Sequence, residues 1–160
     1  GGVMEAALRT AEDILTGKEL PKIDFEQVRG SQGIKRATIT IAGKPISVVA
    51  ASGLANAKKI LEEIKTGKAN YQFVEIMACP GGCIMGGGQP IKHSKVRAEV
   101  DVQKLRASSL YSIDEKSTIR KSHENPVVQK IYNEFLENPG SYRAEKLLHT
   151  KYAEREKYRI

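Results

Sequence analysis

Residues 46–76 constrain the fold of this chain more than any other stretch. Ile46-Ser47-Val48-Val49-Ala50 has strand character, and so does Tyr71-Gln72-Phe73-Val74-Glu75-Ile76. Between them Ser52-Gly53 opens a segment in which Leu54, Ala57, Ile60, Leu61 and Ile64 recur at helical spacing, and Gly67 closes it. A strand, a helix of this length and a second strand form a right-handed crossover, which leaves the two strands parallel. Just upstream, Ile34 to Ile41 alternates, with Ala37, Ile39 and Ile41 on one side and Arg36, Thr38 and Thr40 on the other. Ala42-Gly43-Lys44-Pro45 reads as a turn, so a hairpin leads into the crossover. The expected fold class is α/β: a parallel-sheet βαβ lobe with a hairpin.

The flanks are helical in pattern. Val3, Ala6, Ala7 and Ile14, with Leu8 and Leu15 beside them, predict a helix from Val3 to Thr16 capped by Gly17. Beyond Pro90 the character changes. Lys95 to Ser108 predicts a polar helix carrying Val96, Val100 and Leu105, with Leu110 just past it. Asn125-Pro126 starts another, since proline at the first helical position gives up no hydrogen bond; Val127, Val128, Ile131, Tyr132, Phe135 and Leu136 form its apolar side. After the turn Asn138-Pro139-Gly140-Ser141, a last helix is expected from Tyr142 to Tyr152 with Leu147 and Leu148. These helices are too polar to form a core alone and are expected to wrap around an α/β body. The expected division is residues 1–90 for the α/β lobe and 91–160 for the helical wrapping region.

The chain has 160 residues, enough for one domain with a real core, and its 40% hydrophobic and 28% charged content is that of a soluble globular protein. No apolar run is long enough to span a membrane, and no charged-then-apolar leader opens the chain. A cytoplasmic location is expected. The sequence opens Gly1-Gly2-Val3, already inside a helical pattern, as a piece of something longer would. The formal charge of +7 is scattered, and the densest basic stretch, Lys92-His93-Ser94-Lys95-Val96-Arg97, has no aromatic interleaving for base stacking. A solvated surface is the better reading, and no nucleic acid partner is expected.

The second expected parallel strand runs directly into Glu75-Ile76-Met77-Ala78-Cys79-Pro80-Gly81-Gly82-Cys83-Ile84-Met85-Gly86-Gly87-Gly88-Gln89-Pro90. This segment holds both cysteines of the chain and five of its 14 glycines, with no charge after Glu75. Open α/β sheets bind ligands in the crevice at the carboxyl ends of strands, which is where it begins. In helical conformation cysteines four apart share a face. Pro80 favours a helix start that would aim free N–H groups at an anionic ligand, and the glycines remove side chains where a bulky group needs room. Three plainer readings compete. A disulfide would close a five-residue loop, which cytosolic character disfavours. Zinc needs about four ligands, and His93, His123 and His149 lack finger-like spacing to the cysteines. A phosphate loop would end in Lys-Ser/Thr, which Gly88-Gln89-Pro90 does not. Residue types alone favour a metal and leave an iron–sulfur cluster and zinc both open.

The segment resembles, at every fixed position, the third H-cluster signature of the iron-only (FeFe) hydrogenases, E-x-M-A-C-x-x-G-C-x-x-G-G-G-x-P. The likeness extends outward. Gly1-Gly2-Val3-Met4-Glu5-Ala6-Ala7-Leu8-Arg9-Thr10 is similar to the stretch after that family's second signature. Ile119-Arg120-Lys121-Ser122-His123-Glu124-Asn125-Pro126 and Leu147-Leu148-His149-Thr150 resemble its C-terminal wrapping region. The resemblance implies half of a larger two-lobed catalytic domain that oxidises H2 reversibly to protons and electrons. It implies Cys79 and Cys83 as two of the four thiolates on a 4Fe-4S cluster, with the Cys83 sulfur bridging to a two-iron subsite that carries CO, CN and a bridging dithiolate; together these make the H-cluster. Met77 would line the two-iron pocket, its thioether suited to small inorganic ligands. Pro80, Gly81, Gly82, Gly86, Gly87, Gly88 and Gln89 would line the cofactor.

The family's first signature (T-S-C-C-P-x-W) and second (M-P-C-x-x-K-x-x-E) do not occur in this sequence. They bring the other two cluster cysteines, a proton-passing cysteine and a lysine for a cyanide ligand. The chain alone is therefore expected to be inactive. The implied partners are the N-terminal remainder of the catalytic domain, or a subunit carrying it, and ferredoxin or NAD-linked iron–sulfur subunits. A non-turnover relative, either a hydrogenase-like sensor or an iron–sulfur assembly factor, is the alternative; Met77 and the full glycine run favour the hydrogenase over the assembly factor. The remaining candidates read as structural. Glu75 is expected to serve at a strand end, His123 beside a helix cap, and His149 in packing or at the surface. Asp24, Glu26 and the other carboxylates show no pairing for acid–base work.

Overall fold

The computed structural model describes residues 2–17, 25, 29–30 and 32–156. Asp24 and Glu26 lie outside them. The chain divides into two compact units, one ending at Lys121 and one beginning at Ser122.

The first unit is built on a three-stranded sheet, β1 (Ile34–Ile41), β2 (Lys44–Ser52) and β3 (Phe73–Met77), in that spatial order. β1 and β2 form the expected antiparallel hairpin, with Ile41 opposite Lys44. Its two-residue turn holds Ala42 at φ 49° and Gly43 at φ 76°, the positive angles that match the twist of a tight hairpin. β2 and β3 run parallel, with Val48 opposite Phe73 and Ser52 opposite Met77. The crossover between them carries α2 (Leu54–Lys65).

β2 is central and buried on both faces, which explains why its sequence is continuously apolar rather than alternating. On one face Val48 and Ala50 join Ile39 and Ile41 of β1 against Met4 and Leu8 of α1 (Gly2–Thr16). On the other, Val49 and Ala51 pack on Ile60 of α2. The α2 stripe is narrower than expected. Ala57 and Ile60 are buried, whereas Leu54, Leu61 and Ile64 are exposed, because the helix lies over β2 and β3 along one side only.

A partly buried ionic network joins α1 to α4 (Val102–Lys116), with Glu5 and Arg9 at its buried end. Glu5 accepts from Arg9 Nη2 at 2.8 Å and from Arg29 Nη2 at 2.6 Å. Arg9 Nη1 reaches Asp114 Oδ1 at 2.9 Å, and Arg120 Nη2 reaches Asp114 Oδ2 at 2.6 Å. The Arg29 guanidinium also stacks 4.6 Å from the centre of the Tyr111 ring. Arg9, hydrogen-bonded to Asp114, and then Arg120 hold the Asp114 carboxyl far below the usual carboxylate range.

The polar helix expected from Lys95 is two helices, α3 (Ser94–Glu99) and α4 (Val102–Lys116). Asp101 makes the break, since its carboxylate caps α4 by accepting from Lys104 N at 2.9 Å. In the second unit Asn125 caps α5 (Pro126–Ile131), as expected, by accepting from Val127 N. α5 runs on into one wider turn, Tyr132–Leu136. Ser141 caps α6 (Tyr142–Leu148), which ends at Leu148 rather than continuing to Tyr152. Leu136 and Ala144 are the buried apolar residues of the second unit among those described, while Val127, Phe135, Leu147 and Leu148 are exposed. No helix of the described residues is long and apolar enough to cross a membrane.

Candidate metal centre

The cysteine segment leaves the sheet at the carboxyl end of β3, next to the start of α2. Met77, the last residue of β3, accepts a hydrogen bond through its carbonyl from Gly53 N at 2.8 Å. Gly53 precedes α2 at φ 84°, and a Cβ there would sit 3.8 Å from Pro80 Cγ. The loop therefore packs directly over the crevice where the crossover begins.

A turn follows, closed by Gly82 N donating to Cys79 O at 3.0 Å. Gly81 and Gly82 both have φ near 80°. Gly82, with ψ 178°, occupies a region that essentially only glycine populates. These two residues overturn the expectation of a helix opening at Pro80, because a right-handed helix cannot pass through two positive φ angles. Instead a single 3-10 turn, Cys83–Met85, starts after Gly82, and Cys79 and Cys83 do not share an α-helical face. Gly86 N donates back to Cys83 O at 3.1 Å, and Gln89 N to Gly86 O at 3.1 Å.

Both cysteines are free thiols, Cys79 half-buried and Cys83 exposed. A Cβ on Gly86 would fall 3.3 Å from Cys79 Sγ and 3.2 Å from Cys83 O, so bare backbone lies against the first thiol. A Cβ on Gly82 would fall 3.6 Å from Met77 Sδ, which places the thioether on the loop's inner side. Met77, Cys79, Pro80, Gly81, Gly82, Cys83 and Gly86 thus form one continuous turn system. Gly87, Gly88 and Gln89 continue from it as exposed backbone, with nothing within 4 Å of where the two glycines would carry a Cβ. Glu75 is half-buried within β3, opposite Ala50. His93 caps α3 by accepting from Lys95 N, and His123 and His149 belong to the second compact unit.

Two residues absent from the sequence reading hold this loop from outside. Gln103 Nε2 donates to Gly81 O at 2.8 Å. Arg106 Nη1 donates to Ile84 O at 2.8 Å and lies 3.8 Å from Met85 Sδ, while Nη2 donates to Pro90 O at 2.6 Å. Both side chains come from α4. Their i, i+3 spacing on one helix face was the available signal, but in a helix that reads as uniformly polar it does not stand out.

The donor set fits part of an iron–sulfur cluster. Two thiols stand at the end of a parallel strand, backed by glycine backbone and a thioether. The sequence has no third cysteine, so a cluster with four thiolates needs two from elsewhere.

Residues 1–87 match the family model described as iron only hydrogenase large subunit, C-terminal domain. This chain belongs to the iron-only hydrogenase family. A second model, iron hydrogenase small subunit, matches residues 100–155. Among curated relatives, the NADP-reducing hydrogenase subunit HndD of Solidesulfovibrio fructosivorans is 45% identical over 157 residues, which is 98% of this chain and 26% of that protein. Cytosolic iron-sulfur assembly component 3 of Mus musculus is 32% identical over 153 residues, 95% of this chain and 31% of that protein. A solved FeFe-hydrogenase, studied for oxygen degradation of the H cluster 2Fe subcluster, is 40% identical with a TM-score of 0.71; the match covers 94% of this chain and 43% of that one. The likeness to iron-only hydrogenases therefore extends through the three-stranded sheet and its helices. The chain spans about a quarter to a third of the length of these curated relatives.

Proposed function

We propose that this chain is the part of an FeFe-hydrogenase catalytic domain that closes one side of the H-cluster site, within an enzyme that interconverts H2 with protons and electrons. The observation that carries this reading is the unbroken signature from Glu75 to Pro90 at the carboxyl end of β3, with Gly86 against Cys79 Sγ. Cys79 and Cys83 would be two thiolate ligands of a 4Fe-4S cluster, and Cys83 would also bridge to the two-iron subsite. When bound, the cluster supplies Lewis-acid and redox chemistry for heterolytic cleavage of H2. Met77 would offer an apolar, polarisable wall to the two-iron side. Gly81, Gly82, Gly86, Gly87 and Gly88 would let backbone approach the inorganic group with no side chain between, and Pro80 and Gln89 would border it. Residues 1–90 would form the ligand-bearing lobe and residues 91–160 the region that wraps it.

The site needs a partner. Two further thiolates would come from the remainder of the catalytic domain or from a separate subunit carrying it. Exposed apolar side chains on α1 (Ile14, Leu15) and α4 (Leu105, Leu110, Ile113) support this, since such surface marks protein contacts. Electrons would pass to ferredoxin or NAD-linked iron–sulfur subunits, in the cytoplasm.

The second reading is an iron–sulfur assembly factor or a hydrogenase-like sensor, and the 32% identity to an assembly component over 95% of the chain supports the first of these. The deciding experiment reconstitutes the full-length protein with the two-iron subsite and assays H2 evolution. Turnover supports the enzyme. Infrared carbonyl and cyanide bands without H2 support the sensor, and absence of both supports the assembly factor.

A further inference from the structure

We infer that Gln103 and Arg106 are positioning residues for the Cys83 ligand, and that α4 thereby sets how firmly the loop holds its cluster. This rests on the iron–sulfur reading above and deepens it. The segment between the two thiols contains Gly81 and Gly82, both at positive φ. Glycines lose the most conformational freedom on ordering, so this shape needs restraint from outside the loop. Both external bonds go to carbonyls that bracket Cys83. Gln103 holds Gly81 O, two residues before it, and Arg106 holds Ile84 O, immediately after it. The Gly81–Gly82 and Ile84–Met85 peptide planes, each one removed from those that flank the Cys83 Cα, are thus tied to one helix, which restricts the short stretch of backbone that carries Cys83.

Arg106 does a second thing. Its fork spans from Ile84 O to Pro90 O, the two ends of the Gly86-Gly87-Gly88 run. Gly87 and Gly88 have nothing within 4 Å of a notional Cβ, so the guanidinium joins the Gly86 N to Cys83 O and Gln89 N to Gly86 O bonds in setting the path of the run. Donors on these carbonyls also occupy oxygens whose partial negative charge would oppose an anionic cluster nearby. A lysine has a single ammonium in place of the planar fork and cannot reproduce both bonds with the same geometry. Partners outside the first ligand shell commonly change metal affinity about 10- to 100-fold when lost.

The test uses the full-length protein reconstituted with iron and sulfide. Iron release to a chelator and the EPR spectrum of the reduced cluster are compared for Gln103→Ala, Arg106→Met, Arg106→Lys and Lys104→Ala, the last altering an exposed side chain of the same helix. Iron should leave Arg106→Met at least about tenfold faster, and Gln103→Ala severalfold faster, with broadened EPR lines. Arg106→Lys should fall between Arg106→Met and the unaltered protein, and Lys104→Ala should match the latter. If Arg106→Met does not fold, Gln103→Ala decides, because it removes one bond with little packing. A cluster with unchanged release and EPR in Gln103→Ala and Arg106→Met overturns the positioning role alone. No cluster in the unaltered protein overturns the iron–sulfur reading and this inference with it.

Discussion

Val48, Val49, Ala50 and Ala51 of β2 are fully enclosed between α1 and α2, each at 0% exposure, whereas Gly87 and Gly88 stand in open space a few tens of residues later. The sheet is held by apolar burial on both faces, and a partly buried ionic network ties its covering helix α1 to α4. The cysteine loop has no such core. Its shape comes from two positive-φ glycines, short backbone bonds and two side chains reaching over from α4. The scaffold has an apolar core of its own, while the loop is held by glycine geometry and a few hydrogen bonds. Stability and ligand holding should therefore respond to different substitutions.

Four substitutions in the full-length protein separate the two regions. Ile60→Ala should cost about 3 to 4 kcal/mol in denaturant unfolding, because Ile60 is fully buried under β2. Iron bound per folded molecule should not change. Arg9→Met should cost about 3 kcal/mol by the same assay, since it removes a buried guanidinium and leaves buried Glu5 and half-buried Asp114 to share Arg29 and Arg120. A loss of iron as large as the loss of stability in either variant would break the division.

Asp114→Asn should cost about 2 kcal/mol at neutral pH and carry a signature in acid. The Asp114 carboxyl is held below its ordinary range when folded, so its contribution is complete above the unfolded value, roughly pH 4. It is lost as pH falls from there toward the depressed folded value. Unfolding of the unaltered protein should accordingly steepen below about pH 4, and the Asn variant should lack that part of the slope. The smallest effect on stability belongs to Gly86→Ala. Its backbone φ of −72° is ordinary and the 3.2 Å approach to Cys83 O needs only a small shift, so folding should change by about 1 kcal/mol. The added methyl would meet Cys79 Sγ at 3.3 Å, and iron loading should fall severalfold. Unchanged loading would mean that the glycine does not border the ligand.

The sheet was legible in the sequence because its signals are local. Alternation in β1, the Ala42-Gly43 turn, the doubly buried run of β2 and the helical stripe of α2 each lie within a dozen or so residues. The loop was legible as chemistry but not as geometry. Cys79 and Cys83 suggest a ligand pair through residue type, while the positive φ angles at Gly81 and Gly82 that redirect the chain have no periodic signature. Asp101 was a readable cap, masked by the apolar spacing of Val96, Val100 and Leu105 running across it. Glu5 and Arg9, four apart on α1, are a readable helix pair, but Asp114 could not be joined to them from sequence, because charges 105 positions apart share no pattern.

The central claim is that Cys83 joins the cluster to the two-iron subsite, and infrared spectroscopy of the reconstituted full-length protein tests it most directly. The unaltered protein should show carbonyl and cyanide bands, and Cys83→Ser, with its fold intact, should show none. Bands of undiminished intensity in Cys83→Ser would contradict the assignment.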